Sequence, residues 1–355
     1  MDVAIIGASG DVGRQVVMLI VRDRLLPPSA RLQLVGRPQS MWLLEGYASD
    51  LREAYAEVAP QIDVACSPDE IVADIIVMIA GVTPLMRDGR IMLRAELAEF
   101  NEPILRAHAR AIARHGHGHE IVLVVTNPVE LGVAVFAQEL GDRHRVIGMG
   151  AYNDSLRFRA ELAQDLHVPR QLVQGFILGE HGNNIVPLWS SVRVFGMERD
   201  ELVERLASLR GNYPLRDYHK ELMRHAAPLR DHLQRGELRE AYAHVEQLTP
   251  EFRFVLRSWV THFSGAKTIC ASARSTIEFL EALLSGSEQV LAGQMMLAGE
   301  LEGLHGPMGV PLLVSQGIRS VAPIPMTAEE RDVLRLTSRR INASVAPWLR
   351  TKLKT

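Results

Sequence analysis

Val3-Ala-Ile-Ile-Gly-Ala-Ser-Gly-Asp-Val-Gly13 is the stretch that decides the fold. A short apolar run, suited to a buried strand, passes directly into a turn with glycines at 7, 10 and 13. Val12, Val16, Leu19 and Ile20 then recur at helical spacing. Glycine is needed where a backbone turns sharply and where a pyrophosphate must approach the amides at a helix N-terminus. A glycine turn alone is a weak signal, but placed between a strand and a helix it predicts a dinucleotide site. Gly7, Ser9, Gly10, Asp11, Val12 and Gly13 are its candidate cofactor-binding residues.

The same alternation continues through the first part of the chain. Leu32–Val35, Ile75–Ile79, Ile121–Val125 and Arg145–Gly148 read as strands, several continuously apolar, as in a parallel sheet covered on both faces. Helical patterns over 42–58 and 95–115 lie between them. Residues 1–150 are therefore expected to form a Rossmann-type, doubly wound α/β domain. Residues 151–355 are expected to form a second, α+β substrate domain. It holds strand-like runs at 172–178 and 186–194 and a charged helical segment over 197–257, broken at Pro214, Pro228 and Gly236. That segment reads as a solvated elaboration, with a substrate entrance or a subunit contact as the alternative. A final helix should start at Thr327, which with Glu330 matches a capping box.

Composition narrows the function. The chain has 355 residues, about two domains' worth at roughly 100–200 residues each. With 39 basic and 42 acidic residues its formal charge is −3, which offers no general attraction to nucleic acid or anionic membranes. Two cysteines, Cys66 and Cys270, make neither a disulfide framework nor a zinc pattern. His115-Gly-His-Gly-His119 reads as a solvated helix end, and no metal site is expected. No apolar run reaches the roughly 20 residues that cross a bilayer, and the first strand begins at Val3, so a cytoplasmic protein without a leader is expected.

Chemistry-bearing residues cluster in three further places. Val125-Thr-Asn-Pro128 follows a strand at the carboxyl end, where ligands sit in open α/β sheets. Asp154 and Arg157 are three apart on one helix, hence on one face. His181 sits in the turn Gly179-Glu-His-Gly182, which can present an imidazole to a cleft. NAD-specific sites place an acid after the second strand, but here the run is Leu34-Val-Gly-Arg-Pro-Gln-Ser40. Arg37 and Ser40 would instead accept a 2′-phosphate, with Gly36 also bordering the cofactor, so NADP is preferred and NAD is the alternative.

Together with Gly81-Val82, Met92–Leu97, Asn101 and Gly309-Val-Pro311, these motifs make the chain resemble the lactate/malate dehydrogenase family. The resemblance implies a hydride transfer between NAD(P)H and a 2-oxo acid, with His181 and Asp154 as the catalytic pair. It implies that Arg94, Arg157 and Asn127 hold substrate and that Gly81, Asn101, Val125, Thr126 and Asn127 border the cofactor. It also implies a homodimer or homotetramer. Malate-type members carry a further arginine six residues before Arg94; here that place is Asp88, flanked by Arg87 and Arg90. Arg87 is the better candidate for a distal carboxylate, since a buried charge needs a partner. Oxaloacetate/malate is thus the expected substrate, with L-lactate or another 2-hydroxy acid the alternative. Asn183 stands where the family often has aspartate, and Tyr152-Asn153 where it has smaller or apolar residues. An NAD-dependent glycosidase would need a cysteine–histidine metal site. A non-catalytic dinucleotide sensor would have no use for Asp154, Arg157 and His181.

Overall fold

Strand after strand in the first half is built from residues that water does not reach. In the computed structural model, which describes residues 1–83, 94–182 and 184–349, β1 (Val3–Ile6), β4 (Ile75–Met78) and β5 (Ile121–Val124) are buried along their whole length. With β2 (Arg31–Val35), β3 (Gln61–Ala65) and β6 (Val146–Gly148) they form a parallel array in the order β3-β2-β1-β4-β5-β6. The connecting helices are α1 (Asp11–Arg22), α2 (Met41–Ala54), α3 (Arg94–His115) and α4 (Val129–Leu140). The order reverses beside β1, and all six strands point their carboxyl ends to one edge, which is where such sheets bind ligands. β3 was not evident from the sequence. It is an edge strand, and Gln61, Ile62, Asp63, Val64 and Ala65 lack the continuous apolar run of a central one.

The chain then changes character. After α5 (Gly150–Leu166) come β7 (Val173–Gly179) and β8 (Ile185–Val194), followed by α6 (Arg199–Leu209), α7 (Tyr218–Gln234), α8 (Leu238–Glu246), α9 (Pro250–Thr261) and α10 (Ile269–Ser285). β9 (Gln289–Ala298), β10 (His305–Ser315), β11 (Gly317–Val321) and α11 (Ala328–Leu349) complete it. The pairs β7–β8, β9–β10 and β10–β11 are antiparallel. They continue the first sheet through two narrow crossings, Gly148 opposite Gln294 and Gly309 opposite Gly179. Glycine is required there: a Cβ on Gly148 would lie 2.7 Å from the Gln294 Cβ, and one on Gly309 would lie 2.8 Å from the Gly179 carbonyl oxygen.

Two expectations for this half are corrected. Pro228 does not break the chain but lies inside α7. It is exposed, so the carbonyl it orphans one turn back can be hydrated. Segment 197–257 is also more than a solvated elaboration. Leu202, Leu206, Leu215, Tyr218, Leu222, Leu229, Val245 and Phe252 are buried in it. Tyr218 stacks on Phe252 at 5.3 Å between ring centres. The capping box forms as read: the Thr327 N–H donates to Glu330 at 2.7 Å, and the Glu330 N–H donates to the Thr327 hydroxyl at 3.2 Å.

Candidate active site

The glycine turn closes tightly on itself. Gly7 has φ +93°, a left-handed value, and a Cβ there would lie 2.7 Å from the Ala80 nitrogen. A Cβ on Gly13 would lie 2.2 Å from the Gly7 oxygen, so the helix packs against the turn only because no side chain intervenes. Gly10 caps α1, and no side chain hydrogen-bonds to that end. The amides of its first turn are thus presented to an incoming anion. Ser9 and Ser40 meet, hydroxyl to hydroxyl, at 3.3 Å, bringing the end of β2 onto the turn. Arg37 is exposed there, and Gly36 allows Leu44 to approach a position where a Cβ would clash at 2.5 Å. These residues fit the pyrophosphate and adenosine ribose of a dinucleotide.

Gly81 and Thr126-Asn127 follow β4 and β5 at the same edge. A Cβ on Gly81 would lie 2.6 Å from the Thr126 methyl, and the Thr126 hydroxyl is held on the Ala80 carbonyl at 2.8 Å. Asn101 is fully buried and spends its amide on the backbone. Its oxygen accepts from the Val82 N–H at 2.6 Å, and its nitrogen donates to the Val82 and Asn127 carbonyls at 2.9 and 2.7 Å. Both amide protons are used, so Asn101 sits behind this edge as a tie between two loops.

The candidate acid–base residues come together across α5 and the β7–β8 turn. His181 Nδ1 and Asp154 Oδ2 are 2.7 Å apart, with the His181 side chain 16% and the Asp154 side chain 6% exposed. Gly150 makes room for the ring, since a Cβ there would lie 2.6 Å from the His181 Cγ. Arg157 Nη1 is 3.7 Å from Asp154 Oδ1 on the same helix face. Burial pushes the Arg157 guanidinium below its ordinary value, and Asp154 acts against that. It stays a cation, as guanidinium does in proteins. Arg157 also lines a cleft of about 390 Å³ with Thr268, Ile269 and Cys270.

Two residues that the sequence reading passed over hold this turn in place. Glu130, in the first turn of α4, is buried; its Oε1 accepts from the His181 backbone N–H at 2.7 Å and from Gln294 Nε2 at 3.1 Å. Gln294 Oε1 in turn accepts from the Ala151 N–H at 3.1 Å, on the helix that carries Asp154. A signal existed for both. A carboxyl inside Val129–Phe136 and an amide inside Leu291–Leu297 interrupt apolar runs, and buried polar groups require partners.

The remaining candidates are placed as follows. Arg94 opens α3, but its side chain lies outside the described residues, as do Arg87, Asp88, Arg90 and Asn183. Segment 197–257 reaches the site from behind. Arg253 of α9 holds Glu161 of α5 at 2.5 Å and Asp165 at 2.7 Å, and Arg257 holds Glu161 at 2.8 Å. A second cavity of about 520 Å³ lies in this segment, lined among others by Tyr213, Lys220, Arg224, His225 and Phe252, and by none of the site candidates. Among the described residues no three His, Cys, Asp or Glu side chains group as a metal site would require.

A sheet of this order, an open glycine turn at its carboxyl edge and a buried imidazole–carboxylate pair define a nucleotide-binding α/β protein equipped for proton transfer. Comparison with known proteins makes this specific. The family described as lactate/malate dehydrogenase, NAD binding domain, matches residues 1–148. The malate dehydrogenase of Methanosphaera stadtmanae is 25% identical over 93% of this chain and 92% of its own length. The L-2-hydroxycarboxylate dehydrogenase (NAD(P)(+)) of Methanocaldococcus jannaschii is 32% identical over 56% of this chain and 62% of its own. In three dimensions, the malate dehydrogenase of Plasmodium falciparum matches with a TM-score of 0.76 at 21% identity, covering 98% of each chain. Residues 1–148 thus match the NAD binding domain of that family, and the chain is similar to malate dehydrogenases along nearly its whole length.

Proposed function

We propose that this chain interconverts a 2-oxo acid and its 2-hydroxy acid, with oxaloacetate/malate as the pair and NADP preferred over NAD. The observation that carries the reading is the His181–Asp154 contact at 2.7 Å with Arg157 on the same helix face. Asp154 engages Nδ1, so proton exchange with substrate falls to Nε2. His181 delivers a proton to the C2 oxygen and takes it back in the reverse direction. Asp154 orients the ring. Arg157 offers a planar fork for the C1 carboxylate. Arg94 stabilises the charge developing on the C2 oxygen, a role worth about 2.7–4 kcal/mol in comparable sites. Asn127 faces both substrate and cofactor, and Arg87 meets the distal carboxylate. The reduced nicotinamide, when bound, supplies the hydride for C2. Gly7, Ser9, Gly10, Asp11, Val12, Gly13, Gly81, Val125 and Thr126 border the cofactor, with Asn101 behind them.

The preference for NADP rests on Arg37, an exposed cation at the end of β2 beside Ser40, with no carboxylate in the run 34–40 to repel a 2′-phosphate. A wider 2-hydroxycarboxylate range is the second reading, favoured by the Methanocaldococcus jannaschii relative. No helix among the described residues is long and apolar enough to cross a membrane. We infer a cytoplasmic homodimer or homotetramer. A spectrophotometric screen of oxaloacetate, pyruvate and 2-oxoglutarate with NADH and NADPH tests the assignment. Oxidation of NADPH by oxaloacetate is expected; no oxidation with any acid overturns the reading, and a pyruvate preference overturns its malate part.

A further inference from the structure

The glycine turn carries a feature that works against its own ligand. Asp11, the first residue of α1, places an exposed carboxylate at the helix end where a pyrophosphate would dock. Acids are common in the first turn of a helix because its dipole favours them. For the same reason Asp11 competes with a phosphate for that end. Its charge is met by two cations. Arg14 of the same helix lies 3.8 Å from Oδ1, and Lys267 Nζ lies 3.0 Å from Oδ2. Lys267 arrives from 256 positions away in the chain.

The segment that delivers it is unusual. After α9 the backbone kinks, and Gly265, Lys267 and Thr268 all have positive φ, at 88°, 55° and 51°. Two adjacent non-glycine residues in the left-handed region are strained, and such strain persists where the surroundings require it. An exposed ion pair is a weak reason to retain it, because water screens the attraction. The kink also has a position: Lys267 faces the glycine turn, and its neighbour Thr268 lines the cleft that holds Arg157.

We propose that Lys267 is a pyrophosphate-binding residue of the dinucleotide site. Asp11 holds the ammonium beside the glycine turn, and the phosphate oxygens take over as its partner when the dinucleotide binds. The kink sets the lysine at the turn while anchoring the adjoining residue at the substrate cleft. This rests on the dinucleotide reading given above, and the test separates the two.

Binding of ADP-ribose, NADH and NADPH is measured by calorimetry on the full chain, with adenosine as a ligand lacking phosphate. Lys267→Gln should weaken ADP-ribose, NADH and NADPH alike by about tenfold, or about 1.4 kcal/mol, and leave adenosine unchanged. Lys267→Arg should restore most of that loss. Asp11→Asn should tighten ADP-ribose, because it removes a competing charge. If Lys267 merely ties two parts of the chain together, Asp11→Asn and Lys267→Gln will weaken binding together, which overturns the proposal. Unchanged ADP-ribose binding in Lys267→Gln overturns it too. A loss confined to NADPH would make Lys267 a reader of the 2′-phosphate and overturn the pyrophosphate assignment. If the unsubstituted chain binds none of the three, the dinucleotide reading falls and this one with it.

Discussion

Glu130 and Glu251 are both removed from water, 1% and 0% exposed, but their surroundings differ. Glu130 receives the His181 N–H and Gln294, and through them joins α4, the β7–β8 turn, β9 and α5. Glu251, in segment 197–257, receives the Gly211 N–H at 2.9 Å and the Tyr213 hydroxyl at 3.1 Å on one oxygen. Its other oxygen is buried with no hydrogen-bond partner among the described residues. Burial pushes the Glu251 carboxyl above its ordinary value, against the Gly211 N–H, which favours the charged form. The difference teaches where this chain invests its buried polarity. Around His181 a buried carboxyl ties together the elements that carry the imidazole–carboxylate pair; in the extra segment one of its oxygens is left without a partner among the described residues.

The sharpest way to break this comparison is to remove function from each side. His181→Asn should lower turnover by about 10²–10⁴, the usual range for a lost acid–base group, while NADPH still binds. Arg224→Ala, at the rim of the segment's cavity, should leave turnover unchanged. Steady-state kinetics on both variants checks this, and equal losses would dissolve the distinction between the two regions.

Next in size is Glu130→Ala. It strands the His181 N–H and the Gln294 amide, each at about 1–3 kcal/mol. Urea unfolding should show a loss of that order, and kcat should fall more than the KM for oxaloacetate changes. Normal kcat at reduced stability would make Glu130 a packing residue only.

The smallest effect is expected for Glu251→Gln, with the opposite sign. A carboxyl whose folded value is raised gives full stability below its unfolded value and loses it as pH rises through the folded value. Gln cannot ionise, so the variant should be more stable than the parent at pH 8. The gain should shrink as pH falls toward the ordinary carboxyl value near 4.3. Denaturant titrations at both pH values check it; a variant destabilised at pH 8 would mean the charge is used.

The same contrast explains what could be read from the sequence. The parallel half was legible because each central strand is an unbroken apolar run, and because Gly7, Gly10 and Gly13 answer a local demand of the backbone. Asp154, Arg157 and His181 were legible for a related reason: each lies in a short motif whose spacing encodes its geometry. β3 and β11 escaped because polar residues break up their short runs, and β9 and β10 because Gly293, Gln294, Pro307, Gly309 and Pro311 interrupt theirs. Glu130, Gln294 and Lys267 escaped for another reason. Their partners lie 51, 164 and 256 positions away, and no local pattern announces a contact of that range.

The Glu130–Gln294 contact also has a consequence for synthesis. Ribosomes add about 5–20 residues per second, so the 164 positions between the two take on the order of ten to thirty seconds to appear. For that interval the nascent chain already owns its glycine turn and the five strands beside it, but not the brace behind His181. A half-made molecule can thus present its glycine turn before it owns the brace behind His181, and only a chain translated past residue 294 carries both.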